Sequence, residues 1–217
     1  MIPSEDDFSE EWDEETETGS FRTSSMLNNF YYIRDLYSKT WYVETEITIH
    51  EFGDDEWPKI GLVARAYNSQ NQESMVAFFL NAARGPLDND KWTEFGFCEI
   101  ANGHWAWEGG IPNSIARHHD YTYVLPSSSA ISYDDTFKLG IARLDDTFHI
   151  YVNEAYAYSY QLSTELDVLM ENGLTLDSHV GFFHFNADAT FSNYKVEKEN
   201  ITKYVPGQIK YTSFLDD

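Results

Sequence analysis

The stretch DTFKLGIARLDDTFHIYVNEAYAYSY, Asp135 to Tyr160, decides the fold. In Thr136 to Leu144, Phe137, Leu139 and Ile141 alternate with Lys138, Gly140 and Ala142, the period-2 pattern of a strand buried on one face. Asp145-Asp146 supplies a turn, because Asp bonds its own backbone and tolerates turn geometry. The next run sets Phe148, Ile150 and Val152 against His149 and Tyr151. Asn153-Glu154 turns again, Asn accepting a positive φ at the first position. Tyr156, Tyr158 and Tyr160 continue the alternation along a third strand, completing an antiparallel β-meander.

The rest of the chain repeats this grammar. Thr40 to His50 places Trp41, Val43, Ile47 and Ile49 on one side and Tyr42, Glu44, Glu46, Thr48 and His50 on the other. Lys59 to Tyr67 alternates in the same way, and Ser74 to Ala83 is nearly continuous in apolar residues, as a strand covered on both faces is. Further strands are predicted at Trp92 to Ile100 and His104 to Glu108, joined by the hairpin signal Asn102-Gly103, and at Tyr121 to Leu125. His179 to Phe185 and Ala189 to Glu197 form a last hairpin. Ser163 to Asn172, stopped by Asn172-Gly173, is the only helical candidate. The expected fold is therefore all-β: an antiparallel sandwich with at most one short helix.

At 217 residues the chain suits one core, and 42% hydrophobic and 17% aromatic content suffices to fill it. We divide it into an acidic N-terminal segment (1–18), a β-sandwich (19–197) and a C-terminal strand or tail (198–217). Phe8 and Trp12 tie the acidic segment to the sandwich. The formal net charge of −23 argues against nucleic acid and anionic membrane surfaces as partners. Cys98 is the only cysteine, so no intrachain disulfide forms, and its place in a strand predicts a buried, inert thiol. No apolar run approaches the ~20 residues of a membrane span. The first twenty residues lack the basic start and apolar core of a signal peptide. The expectation is a soluble chain, cytoplasmic, or extracellular if excised from a larger protein; oligomeric state is not legible.

Three pairs of stretches carry a resemblance. Trp41 to Ile47 followed by Gly61 to Arg65, Lys138 to Arg143 followed by Phe148 to Asn153, and Val180 to Phe183 followed by Ala189 to Tyr194 together resemble the concanavalin A-like lectin/glucanase superfamily, particularly its laminin G-like and bacterial carbohydrate-binding branches. The resemblance covers roughly residues 20 to 197 and departs where Glu154 replaces the usual hairpin glycine. It implies two stacked antiparallel sheets in a jelly roll, with ligands on the concave face or its rim loops. A larger cleft in this superfamily makes a hydrolase and a shallower one a binder.

The glucanases of the superfamily carry Glu-x-Asp-x-Glu on one strand; here Glu44-Thr45-Glu46-Ile47-Thr48 lacks the third carboxylate. Glu44 and Glu46 lie ~7 Å apart by strand rise and, with His50 near, offer an acid and base pair or a solvated strand face. Trp105 and Trp107 share a side of a short strand, ~7 Å apart, and suit stacking on successive sugars or the inter-sheet core. Glu44, Arg65, Glu99 and His184 are the strand residues expected to meet sugar hydroxyls. The resemblance also implies calcium, for which Asp88 and Asp90 are the expected ligands, with Asp54-Asp55-Glu56 a second acidic loop. His118-His119-Asp120 with His104 could instead hold a transition metal, though paired loop histidines are more often plain surface polarity. The leading expectation is a non-catalytic, lectin-like module that binds a glycan. The rivals are a glycoside hydrolase using paired carboxylates and an assembly module using the Tyr156, Tyr158, Tyr160 face or the acidic segment.

Overall fold

The computed structural model describes residues 8–13, 18–23, 29–36, 38–53, 58–67, 73–82, 91–101, 104–105, 118–161, 178–204 and 206, and structural statements below concern these. In chain order the strands are β1 (Phe8–Asp13), β2 (Thr18–Thr23), β3 (Asn29–Leu36), β4 (Thr40–Phe52), β5 (Lys59–Tyr67), β6 (Glu73–Asn81), β7 (Lys91–Trp92), β8 (Glu94–Ala101), β9 (His104–Trp105), β10 (His118–Val124), β11 (Ile131–Ser132), β12 (Thr136–Leu144), β13 (Thr147–Val152), β14 (Ala155–Gln161), β15 (Ser178–Phe185) and β16 (Ala187–Glu197). Two short 3-10 turns, Ser127–Ser129 and Ile201–Tyr204, are the only helical elements among the described residues. The helical candidate Ser163 to Asn172 lies outside them.

One sheet, the β4 sheet, runs β1-β2-β16-β4-β12-β13-β14; the other, the β5 sheet, runs β10-β8-β6-β5-β15-β3 with β9 on β8. The pairings are antiparallel, which gives the two-sheet β-sandwich that the alternation anticipated. The sequence boundary at residue 18 falls inside the β4 sheet, since Phe8–Asp13 pairs with Thr18–Thr23 at its edge.

Between the sheets lies a dry core. Trp41, Val43, Ile47 and Ile49 of β4 face Ile60, Leu62, Val76, Phe78, Leu80 and Val180, all buried. Aromatic rings bridge the layers: Phe78 sits 5.3 Å from Phe148 and 5.6 Å from Tyr160, and Phe182 stacks on Phe191 at 4.3 Å. Each fully buried large side chain of this set contributes roughly 1.5–3 kcal/mol. β6 is covered on both sides, as its apolar run predicts. Val76, Phe78 and Leu80 point to the core, while Ala77 and Phe79 on the opposite face are equally inaccessible.

The β12-β13-β14 meander forms as read. Asp145 turns with φ 52°, and Asn153 and Glu154 adopt φ 50° and 66°, the pair of positive values a two-residue hairpin needs. Asn153 secures the turn twice, its N–H donating to the Lys138 carbonyl and its Oδ1 accepting the Lys138 N–H, each at 2.9 Å. One detail departs from strict alternation. A bulge between Ile150 and Tyr151 sets Ile150 opposite Tyr158 but Tyr151 opposite Tyr156. Tyr158 and Tyr160 therefore turn inward and are buried, while Tyr156 is 43% exposed on the outer face. The three tyrosines form no common face, because one extra residue inverts side-chain parity across the bulge.

Candidate functional site

The face of the β5 sheet turned away from the core is buried along its middle strands, at Val63, Ala77, Phe79, Cys98 and Phe183, and opens at the β10 edge, where Val124 is 54% exposed. The outer face of the β4 sheet is polar and partly open. It is built from alternate residues of three adjacent strands. Register sets Glu46 beside Lys138 and Ser192, Thr48 beside Thr136 and Thr190, and Glu44 beside Gly140 and Lys195.

At the hairpin end of this face, Glu46, Thr136, Phe137, Lys138, Asn153 and Glu154 line a shallow depression of about 200 Å³. The Lys138 ammonium donates to Glu154 Oε1 at 2.8 Å. That contact raises the Lys138 pKa and lowers that of Glu154, so both remain charged at neutral pH. Asn193 Nδ2 donates to Glu46 Oε2 at 2.6 Å. Thr48 and Thr136 share a hydroxyl hydrogen bond of 2.7 Å at the opposite rim. The depression thus offers one cationic donor, two carboxylates and a hydroxyl pair. Tyr151 and exposed Tyr156 lie one side-chain row further along the sheet, ~7 Å away by strand rise.

The row beyond, that of Tyr42, is aromatic and shielded. Tyr42 donates to Glu44 Oε2 at 2.6 Å, and its phenol pKa is raised, by burial first and then by the Glu44 carboxylate. Tyr204, from the turn after β16, stacks on Tyr42 with ring centroids 3.6 Å apart and planes at 8°. Glu197 accepts from Lys195, Lys203 and the Tyr204 hydroxyl. Burial works against its charged form, but these three donors outweigh it and hold the carboxyl down to about 2. Ile201 is buried against Tyr42 and Ala142 beneath the turn.

The residues expected from the sequence fall into three groups. Glu44 lies on this outer face, tied to Tyr42. Glu99 and His184 do not: both are fully buried between the sheets, Glu99 in register with Val76 and His184 with Ile60. Burial lowers the His184 pKa to about 4, against smaller opposing effects of Ala187 and Asp188, so the imidazole is neutral. Arg65 and Trp105 occupy β5 and β9, with side chains outside the described set; Trp107, Asp88 and Asp90 lie outside the described residues altogether. Among the described residues, no three His, Cys, Asp or Glu side chains gather to hold a metal ion. Sequence reasoning missed Lys138, Glu154, Tyr151, Glu197 and Tyr204. The signal for the first two was the hairpin itself, which folds residue 154 back onto residue 138.

Glu44 and Glu46 are each held by a neutral donor on an open sheet surface, with no described wall to exclude water. Asp134 Oδ1, His50 and Thr190 Oγ1 do line up, at 3.0 Å to Nδ1 and 2.9 Å to Nε2, in the order of a hydrolytic triad. The hydroxyl of this row belongs to a threonine in the middle of a sheet, on a strand paired to β4 on one side and β2 on the other.

No protein-family model matches the chain, and no curated protein sequence is significantly similar to it. Among solved structures it is similar to the carbohydrate-binding module CBM66 from Bacillus subtilis, at 15% identity over 83% of this chain and 81% of that one, with a TM-score of 0.43. Sheep galectin-11 is similar at 8% identity over 79% and 98%, with a TM-score of 0.45. The alginate lyase A1-II' is similar at 8% identity over 90% and 85%, with a TM-score of 0.48. The likeness is one of fold alone. Among the described residues, no helix is long and apolar enough to cross a membrane.

Proposed function

We propose that this chain is a non-catalytic glycan-binding module whose ligand lies on the outer face of the β4 sheet, in the depression between Glu46, Lys138 and Glu154. The observation that carries the reading is the composition of that depression: an ammonium donor, two carboxylate acceptors and paired threonine hydroxyls around roughly one sugar unit of space, with exposed Tyr156 nearby. Sugar rings present an apolar face and a fringe of hydroxyls that both donate and accept, and this patch supplies both kinds of partner. The net charge of −23 selects against sulfated and uronic glycans, so the ligand is a neutral sugar chain. Glu44 contributes as a neighbour of the site. Trp105 and Trp107 remain the alternative stacking pair, and calcium at Asp88 and Asp90 remains part of that alternative.

The test is titration of the purified chain against a neutral glycan panel, with and without EDTA. Binding is expected to survive EDTA and to weaken ~10-fold or more in Lys138→Ala and Glu46→Gln, the loss of one charge-assisted contact each. Loss in Trp105→Ala with no change in Lys138→Ala would move the site to the tryptophan pair. Silence across the panel would remove the glycan reading.

A further inference from the structure

We propose a second, occluded sugar subsite beside the first, floored by Tyr42 and walled by Tyr151, which the chain's own Tyr204 fills in this structure. The inference rests on the glycan reading above for its ligand class, and on separate residues for its geometry.

Tyr204 makes each contact that a pyranose would make there. Its ring lies flat on Tyr42, at 3.6 Å between centroids and 8° between planes. Its hydroxyl donates to Glu197 Oε1 at 3.0 Å. Its carbonyl oxygen accepts the Tyr151 hydroxyl. An apolar ring face, a donated hydroxyl and an accepting oxygen are the three recognition features of a sugar unit. What lies beneath is a preformed platform: Tyr151 meets Tyr42 edge-on at 6.3 Å, and Tyr156 meets Tyr151 at 5.9 Å. Gly140, in register with both Glu44 and Tyr151, keeps the floor low, since a Cβ there would come within 2.6 Å of the Tyr42 hydroxyl.

The cover is a short one. The turn Ile201–Tyr204 is held by one buried aliphatic side chain, Ile201, by the ring stack, and by contacts to Glu197. Lys195 also pairs with Glu197, so the carboxylate keeps a cation when Tyr204 leaves and gains an acceptor oxygen for a sugar hydroxyl. Tyr151 belongs to the row next to Lys138, ~7 Å away, and Tyr42 to the row beyond it, its hydroxyl reaching back over Gly140, so a longer glycan seated in the depression extends onto the floor. A ligand that must displace Tyr204 binds with its intrinsic affinity reduced by the fraction of open molecules.

The experiment is calorimetric titration of the full chain and of Tyr204→Ala with disaccharide and hexasaccharide fragments of neutral β-glucan, xylan, mannan and galactan. If the platform is open one time in ten or less, Tyr204→Ala tightens hexasaccharide binding ~10-fold or more and leaves disaccharide binding in the depression unchanged. Adding Tyr42→Ala to Tyr204→Ala abolishes the gain, whereas Tyr204→Phe, which keeps the stack, gives little of it. Ile201→Ala loosens the cover without touching the ring and serves if Tyr204→Ala does not fold. The same series in a Lys138→Ala background separates the two readings. A gain that persists there supports the occluded subsite whatever the depression does, and Lys138→Ala that leaves binding unchanged, with Tyr204 or with Tyr204→Ala, removes the depression. Absence of a gain in every background, or a gain indifferent to Tyr42→Ala, overturns the subsite.

Discussion

The two sheets of this sandwich place most of their polar side chains differently, although Thr45, Arg143 and His149 of the β4 sheet are buried too. The β4 sheet displays them: Glu44, Glu46, Thr48, His50 and Lys138 share its outer face and bond one another or their neighbours in reach of water. The β5 sheet hides them: Lys59, Asn81, Glu99 and His184 are each 3% exposed or less. The difference is one of burial and not of residue type. A sheet with one wet face can carry a binding surface on alternate residues; a sheet buried on both faces has only its rims and loops to offer.

The sharpest way to break this comparison is to cut into the hidden face. Phe79 lies on the side of β6 turned away from the core, yet it is fully buried and packs 5.9 Å from Phe183. Phe79→Ala is expected to cost about 3–5 kcal/mol, as a core phenylalanine does. Glu44→Gln, on the exposed face of the other sheet, is expected to stay within about 0.5 kcal/mol. Urea denaturation of the two variants gives the comparison directly. A Phe79→Ala cost as small as that of Glu44→Gln would mean that the second face of the β5 sheet is open.

Acid sharpens it next, because a buried histidine and a paired carboxylate titrate in different windows. His184 is neutral in the fold with a pKa near 4, against an ordinary 6.5, so between those values the unfolded chain binds more protons than the folded one. Stability is intact above pH 6.5 and falls as pH drops toward 4, by about 3 kcal/mol for a shift of this size. His149, lowered by burial as well, adds in the same direction. Glu197 acts lower. Its carboxyl falls from 4.5 to about 2 in the fold, so its contribution is present above pH 4.5 and is lost as pH falls toward 2. Denaturant midpoints measured across pH should flatten in the upper window for His184→Gln and in the lower one for Glu197→Gln. The reverse pattern would put the protected carboxylate inside and the histidine outside.

How much of this was legible depends on which residue is asked. Period-2 alternation located β4, β5, β12 and β13 and told which residues share a face, because parity is local chain geometry. It could not tell which face meets water. Polarity on a strand suggests Glu99 and His184 as ligand contacts, although their parity, with Phe95 and Phe97 and with Val180 and Phe182, sets them inward. Tyr156 escaped for a different reason: the bulge opposite Tyr151 inverts parity at one position, and no turn residue marks it. The Glu197, Tyr204 and Tyr42 cluster joins residues more than 150 positions apart, a proximity that exists only once β16 lies beside β4. The depression fell between these cases, its hairpin visible and its chemistry not.

Two glycines give the finest form of the comparison. Gly61 of β5 faces backbone: a Cβ there would lie 1.9 Å from the Phe78 carbonyl oxygen and 2.7 Å from the Phe79 Cα, so strands β5 and β6 would have to part. Gly140 of β12 faces the tip of a side chain, its Cβ meeting the Tyr42 hydroxyl at 2.6 Å and ring carbons at 3.2 and 3.3 Å. A phenol can tilt; a ladder cannot. Gly61→Ala is therefore expected at or above the upper end of the 1–3 kcal/mol typical of overpacking, and Gly140→Ala near about 1 kcal/mol. The smaller change carries the more specific signature. Tilting Tyr42 lengthens its hydrogen bond to Glu44 and disturbs its stack with Tyr204, so near-ultraviolet dichroism should change in Gly140→Ala alongside a fall in the denaturation midpoint clearly smaller than that of Gly61→Ala. Equal costs at the two glycines would mean that the outer face of the β4 sheet is packed as tightly as the hidden face of its partner, and an open polar surface could not then be its distinguishing property.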